Sequence, residues 1–192
     1  MSTGRLESFS DGVIAVIITI MVLELKAPLG TSLDALRPLL PVFLTYVLSF
    51  AYLGIYWNNH HHLLKAVKDV TGRVMWSNLI LLFWLSLVPF FTGWLGENHN
   101  APWPTALYGV DLLMAAISYY MLQRAIVCQH GHGSKLAESI GSDFKGVLSI
   151  LLYMMGILCA PFVQWISDLL YVLVAVMWVI PDRRTRVVHD KS

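Results

Sequence analysis

The sequence predicts an all-α, polytopic membrane protein with six transmembrane helices and both termini in the cytoplasm. Three observations carry this. Charged residues make up 13% of the 192 residues and hydrophobic residues 57%. A soluble domain usually carries roughly 25% charge. The apolar residues gather into six runs, and a helix needs about 20 such residues to cross about 30 Å of hydrocarbon. The runs lack period-2 alternation, so helices rather than a β-barrel satisfy the backbone in lipid. This composition excludes a soluble enzyme and a disordered chain. A net charge of +1 offers no basic field to a nucleic acid. Two cysteines, Cys128 and Cys159, are no disulfide framework.

The expected spans are residues 8–25, 39–57, 74–95, 105–122, 146–160 and 166–180, in a single domain over 1–192. The first apolar run covers only residues 12–23, about 18 Å of helix, which is too short to cross alone. The helix must take in Phe9, Ser10, Asp11 and Glu24, so polar groups enter at membrane depth. A charge at the bilayer centre costs roughly 2.5–3.5 kcal/mol, less near the ends. Such a helix belongs inside a bundle or beside water. One stripe of it is Gly12, Val16, Thr19, Ile20 and Leu23, spaced as one helical face. The stripe reads either as a packing seam or as a conduction path. Ahead of it, Ser8 and Asp11 scan as a weak capping box. The other reading is a buried polar cluster in which Asp11 and Arg5 are partners.

Pro28, Gly30 and Pro38 end the first hairpin. The second run stops at Trp57 and is followed by His60, His61 and His62. Consecutive helical positions point about 100° apart, a poor zinc arrangement, so no metal site is expected. A histidine beside Asp11 would instead make a pH-sensitive pair. Gly96, Pro102 and Pro104 separate the third and fourth runs. Asp111 interrupts the fourth, read either as bonded to a neighbour's Tyr, Trp or main chain or as part of an ion route or proton relay. His130, Gly131, His132 and Gly133 start the longest loop, Pro161 closes the fifth run and Pro181 the sixth. There is no internal repeat, and no cleavable leader is expected. Trp residues near span ends read as interface anchors.

Counting bases orients the chain. Arg5, Lys65, Lys68, Arg73, Arg124, Lys135, Lys145, Arg183, Arg184, Arg186 and Lys191 fall on one side, and only Lys26 and Arg37 on the other. The positive-inside rule places the first side in the cytoplasm. Arg183, Arg184 and Arg186 also suit lipid headgroups.

Arg5-x-x-x-Phe9-Ser10-Asp11 at the head of a first membrane helix resembles the signature of the transmembrane protein 175 family. Trp57-Asn58-Asn59-His60-His61 resembles its Trp-x-x-His-His. Asn78-Leu79, Ser86 through Phe90, and Leu95-Gly96-Glu97 look like its third helix, and Pro104 through Gly109 like the start of its fourth. The C-terminal half matches in layout alone. The resemblance implies a cation channel that prefers potassium to sodium, with a pore lined by the first helix and no pore loop. The sequence is consistent, having no Thr-Val-Gly-Tyr-Gly segment. By position, the resemblance makes Val16, Ile20 and Leu23 the hydrophobic constriction, with Thr19 beside its narrowest layer. Arg5, Phe9, Ser10 and Asp11 support the pore helix, and His60, His61, Trp76 and Asn78 are candidate polar partners. Animal relatives carry two six-helix repeats, so one repeat implies a homotetramer. Geometry agrees, because four short helices around an axis can enclose a pore and one cannot.

The expected function is therefore a potassium-preferring channel in a bacterial-type inner membrane, with no cofactor beyond the permeant ion. Expected partners are lipid, potassium and its own copies. A secondary transporter of protons or metal cations is the alternative, against which stands the absence of repeats and paired broken helices. A membrane enzyme comes third, because neither H-E-x-x-H nor G-x-S-x-G occurs.

Overall fold

The computed structural model describes residues 2–65, 67, 69–99, 101–130 and 143–179. Among these are six α-helices: α1 (Thr3–Met21), α2 (Leu40–Lys65), α3 (Gly72–Glu97), α4 (Pro102–His130), α5 (Phe144–Cys159) and α6 (Gln164–Val179). Two 3₁₀ segments, Val22–Glu24 and Leu33–Leu39, connect α1 to α2. Lys68, Gly131, His132, Gly133, Lys135, Pro181, Arg183, Arg184, Arg186 and Lys191 lie outside the described residues.

Local chemistry sets the helix starts. Thr71 caps α3 by accepting from the Val74 N–H, and Asp143 caps α5 by accepting from the Gly146 N–H at 3.0 Å. Pro102 and Pro104 occupy the first turn of α4, where their missing N–H groups cost nothing. The helices outrun the apolar segments. α1 starts at Thr3 and continues as 3₁₀ to Glu24, and α2 runs past Trp57 to Lys65. The reason is that apolar runs mark the hydrocarbon layer, whereas a helix continues into water while its backbone bonds are made. Four helical stretches are long and apolar enough to cross a membrane: Thr3–Glu24, Leu33–Lys65, Gly72–Glu97 and Pro102–Gln129. The last two helices are apolar but have only 16 residues each among those described, about 24 Å.

α3 is the central helix and packs against α1, α2 and α4. α1 rests on α2 and α3, whereas α5 and α6 pack together against α4 on another side. Two cores result. One joins Leu6, Ile14, Ile17 and Met21 of α1 to Leu53, Leu81, Leu85 and Leu122 of the next three helices. The other is built on Tyr52, Tyr108, Tyr153 and Tyr171. Its hydroxyls find partners, as buried polar groups must. Tyr52 donates to the Tyr171 carbonyl at 2.5 Å, Tyr171 to the Thr105 carbonyl at 3.2 Å, and Tyr108 pairs with Ser49 at 2.9 Å. Gly109 and Gly156 let the Tyr171 ring between α4 and α5, and a Cβ at Gly156 would overlap that ring. Gly156→Ala should lower stability by about 1–3 kcal/mol through overpacking, read as an earlier thermal transition of the detergent-solubilised protein. Cys128 and Cys159 are free thiols.

At its far end α1 meets α3 again. Lys26 forms an exposed ion pair with Glu97 at 2.5 Å, and the Glu24 carboxylate lies against Gly93. The pairing with Glu97 raises the Lys26 pKa above its ordinary value.

Candidate functional site along the first helix

α1 divides into two faces. Leu6, Ser10, Ile14, Ile17 and Met21 are buried, at the three- and four-residue steps of one helical side. Phe9, Gly12, Val16, Thr19 and Ile20 lie on the other, continued by Leu23 of the following 3₁₀ segment, and are exposed, Val16 at 57%, Ile20 at 45% and Leu23 at 74%. The seam within the chain is therefore the buried face. The stripe singled out in the sequence is free of intrachain packing, although it is almost wholly apolar. Its one hydroxyl, on Thr19, donates to the Val16 carbonyl at 2.9 Å. That bond leaves the oxygen's acceptor side outward.

The first turns of α1 hold a polar knot between three helices. Ser10 is fully buried, and its hydroxyl donates to the Leu6 carbonyl at 2.8 Å. It accepts from the Asn78 amide at 2.9 Å, and Asn78 in turn meets His60 Nε2 at 2.6 Å. Ser10, Asn78 and His60, all 0% exposed, thus tie α1, α3 and α2 together. Asp11 accepts from the Trp57 indole at 3.1 Å. His61 Nδ1 approaches Glu7 Oε1 at 2.8 Å. The three consecutive histidines diverge as helical geometry requires, His60 toward Asn78 and His61 toward Glu7.

Three expected members stand apart from the knot: Phe9, 49% exposed on the open face, Arg5 and Trp76. Arg5 is exposed and makes no ion pair with Asp11. Six helical positions amount to about 600°, which leaves the two side chains about 120° apart. Trp76 is 64% exposed, outside these hydrogen bonds. Conversely, Glu7 and Trp57 are in the knot although sequence reasoning gave them no such part. The signals were spacing: Glu7 lies one turn before Asp11, and Trp57 one turn before His61.

Asp111 is fully buried on α4, and neither carboxylate oxygen meets a hydrogen-bond partner. Bonding to a neighbouring Tyr, Trp or main-chain group is therefore not its environment.

Comparison with known proteins bears on the same residues. The family model described as "Endosomal/lysosomal potassium channel TMEM175" matches residues 5–89, which hold most of α1, the knot and the exposed stripe from Gly12 to Leu23. A Chryseobacterium protein named a potassium channel is 54% identical over 184 residues, covering 96% of each chain. The human protein named "Endosomal/lysosomal proton channel TMEM175" is 32% identical over 101 residues, 46% of this chain and 20% of its own length. The crystal structure of a lysosomal potassium-selective channel TMEM175 homolog from Chamaesiphon minutus superposes with a TM-score of 0.81. It is 28% identical, and the match covers 93% of this chain and 96% of that one. A relative matched almost end to end, a family model on the motif-bearing half and a shared backbone agree: this chain belongs to the TMEM175 family, a family of ion channels and not of enzymes.

Proposed function

We propose that the chain is a potassium channel of the cell membrane, conducting along the exposed face of α1 in a homotetramer with both termini cytoplasmic. The observation that carries this reading is the two-sidedness of α1. A helix whose first turns are tied into the fold, and whose other face is apolar and unpacked, fits a pore wall shared among copies. In this reading Val16, Ile20 and Leu23 form the constriction. From Val16 to Leu23 is seven residue steps, about 10 Å of wall without a carbonyl cage. A bare cation cannot cross such a wall, so the ion keeps much of its water and the helices part to pass it. The Thr19 oxygen is the one side-chain ligand facing this path, and it orders potassium over sodium by contact with a partly hydrated ion.

Recording of purified protein in bilayers under a potassium–sodium bi-ionic gradient tests this. The wild type is expected to reverse toward the potassium equilibrium potential, and Thr19→Val to move reversal toward zero. A coupled, slow flux without unitary currents would overturn the channel reading. A second reading, transport of protons or metal cations, is favoured by the unpartnered Asp111 and by the relatives named proton channels. Proton flux that survives Ile20→Phe but not Asp111→Asn would support it.

A further inference from the structure

Glu7 and Asp11 lie one turn apart on α1, and His61 reaches them from α2. One ligand atom from each lies within 4.8 Å of the other two. At zinc, with bonds of about 2.0–2.2 Å, tetrahedral ligand atoms stand roughly 3.4 Å apart. Small side-chain rotations therefore bring all three to bonding distance and leave a fourth position for water. The His61–Glu7 contact is not a formed hydrogen bond. The atoms are 2.8 Å apart, yet Nδ1 is buried and has no aligned acceptor. Two ligands converging on one centre give this arrangement. The surroundings are those of a built site. The Trp57 indole donates to Asp11 and its ring stacks on His61 at an interplanar angle of 19°, fixing both. His60, the neighbour of His61 on α2, is fully buried and has an Nδ1 without a partner. A nitrogen with two carboxylates suits a borderline transition-metal ion, whereas calcium and magnesium take oxygen alone.

We propose that Glu7, Asp11 and His61 form a binding site for a divalent transition-metal ion of the zinc class, clamping the first turns of α1 to α2. Three consecutive histidines hid such a site in the sequence, because its ligands come from two helices.

The test is titration of the purified, detergent-solubilised full chain with Zn²⁺ alone, by calorimetry, together with the visible spectrum of bound Co²⁺. One saturable ion per chain is expected. Loss of even an outer partner usually weakens binding about 10–100-fold, so Glu7→Gln and His61→Gln should each weaken it at least about tenfold. Glu7→His keeps a ligand atom in place and should keep the binding. The Co²⁺ spectrum should change in His61→Gln. Where His61→Gln does not fold, Glu7→Gln against Glu7→His decides the matter. Absence of saturable binding, or an affinity unchanged in Glu7→Gln, overturns the site. Binding is read without current, so its failure leaves the channel reading untouched.

Discussion

Replacing Ile20 by Asn is expected to raise potassium current about tenfold or more under otherwise identical recording. The side chain is 45% exposed on the unpacked face of α1, so the change disturbs little inside the chain. Its effect falls on the pore wall of the proposed assembly. A ring of branched aliphatic side chains repels water, and a dry layer bars a hydrated cation. An amide at that layer supplies a donor and an acceptor from each copy, which holds water in place. A barrier lower by about 1.4 kcal/mol is tenfold in rate. Leu23→Asn, one turn on and 74% exposed, should act in the same direction. Unchanged current in both would remove the hydrophobic gate, and a folded, conducting protein would then need another constriction.

Asn78→Ala is expected to have the largest effect on stability of any single change outside the apolar cores. The amide donates to Ser10 and meets His60, and all three residues are buried. Removing it strands His60 Nε2 and one side of the Ser10 hydroxyl. Each buried group left unsatisfied costs about 1–3 kcal/mol, so a loss of about 2–4 kcal/mol is expected, read as a lower thermal transition in detergent. Asn78→Leu should do no better, because the polar groups around it remain. A transition within a degree of wild type would mean that water enters to replace the amide and that the knot is not a sealed one.

Much of the candidate site could be read from residue order. Ser10, Asn78 and His60 come from motif-like segments on three different helices, and the structure joins them. The stripe from Gly12 to Leu23 was legible because helical spacing fixes which residues share a face. Spacing does not fix which of two faces turns inward. Packing puts Ile14, Ile17 and Met21 on the inward side, so the seam within the chain is theirs and not the stripe's. The length of α2 beyond Trp57 was harder to read for a different reason. Asn58 through His62 look like a loop to a hydropathy argument, yet they continue the helix, and this carries His60 and His61 to α1 and α3. Partnerships across helices were the least legible. Glu7 with His61 and Trp57 with Asp11 depend on how α2 leans on α1, which neither period nor composition encodes. Asp111 announced itself as an anomaly in an apolar run, and its lack of hydrogen-bond partners became visible only with the fold.

In the proposed homotetramer, the unpacked face of α1 also bears on how a newly made chain survives before it meets its copies. A lone subunit in the bilayer turns Val16, Ile20 and Leu23 toward lipid tails, which are as apolar as they are. Thr19 already spends its proton on its own helix. A wall lined with charges or free amides would be stranded in hydrocarbon at that stage and would invite wrong partners or degradation. The side chains proposed to keep the resting pore dry thus also let each subunit wait unharmed in the membrane until it assembles.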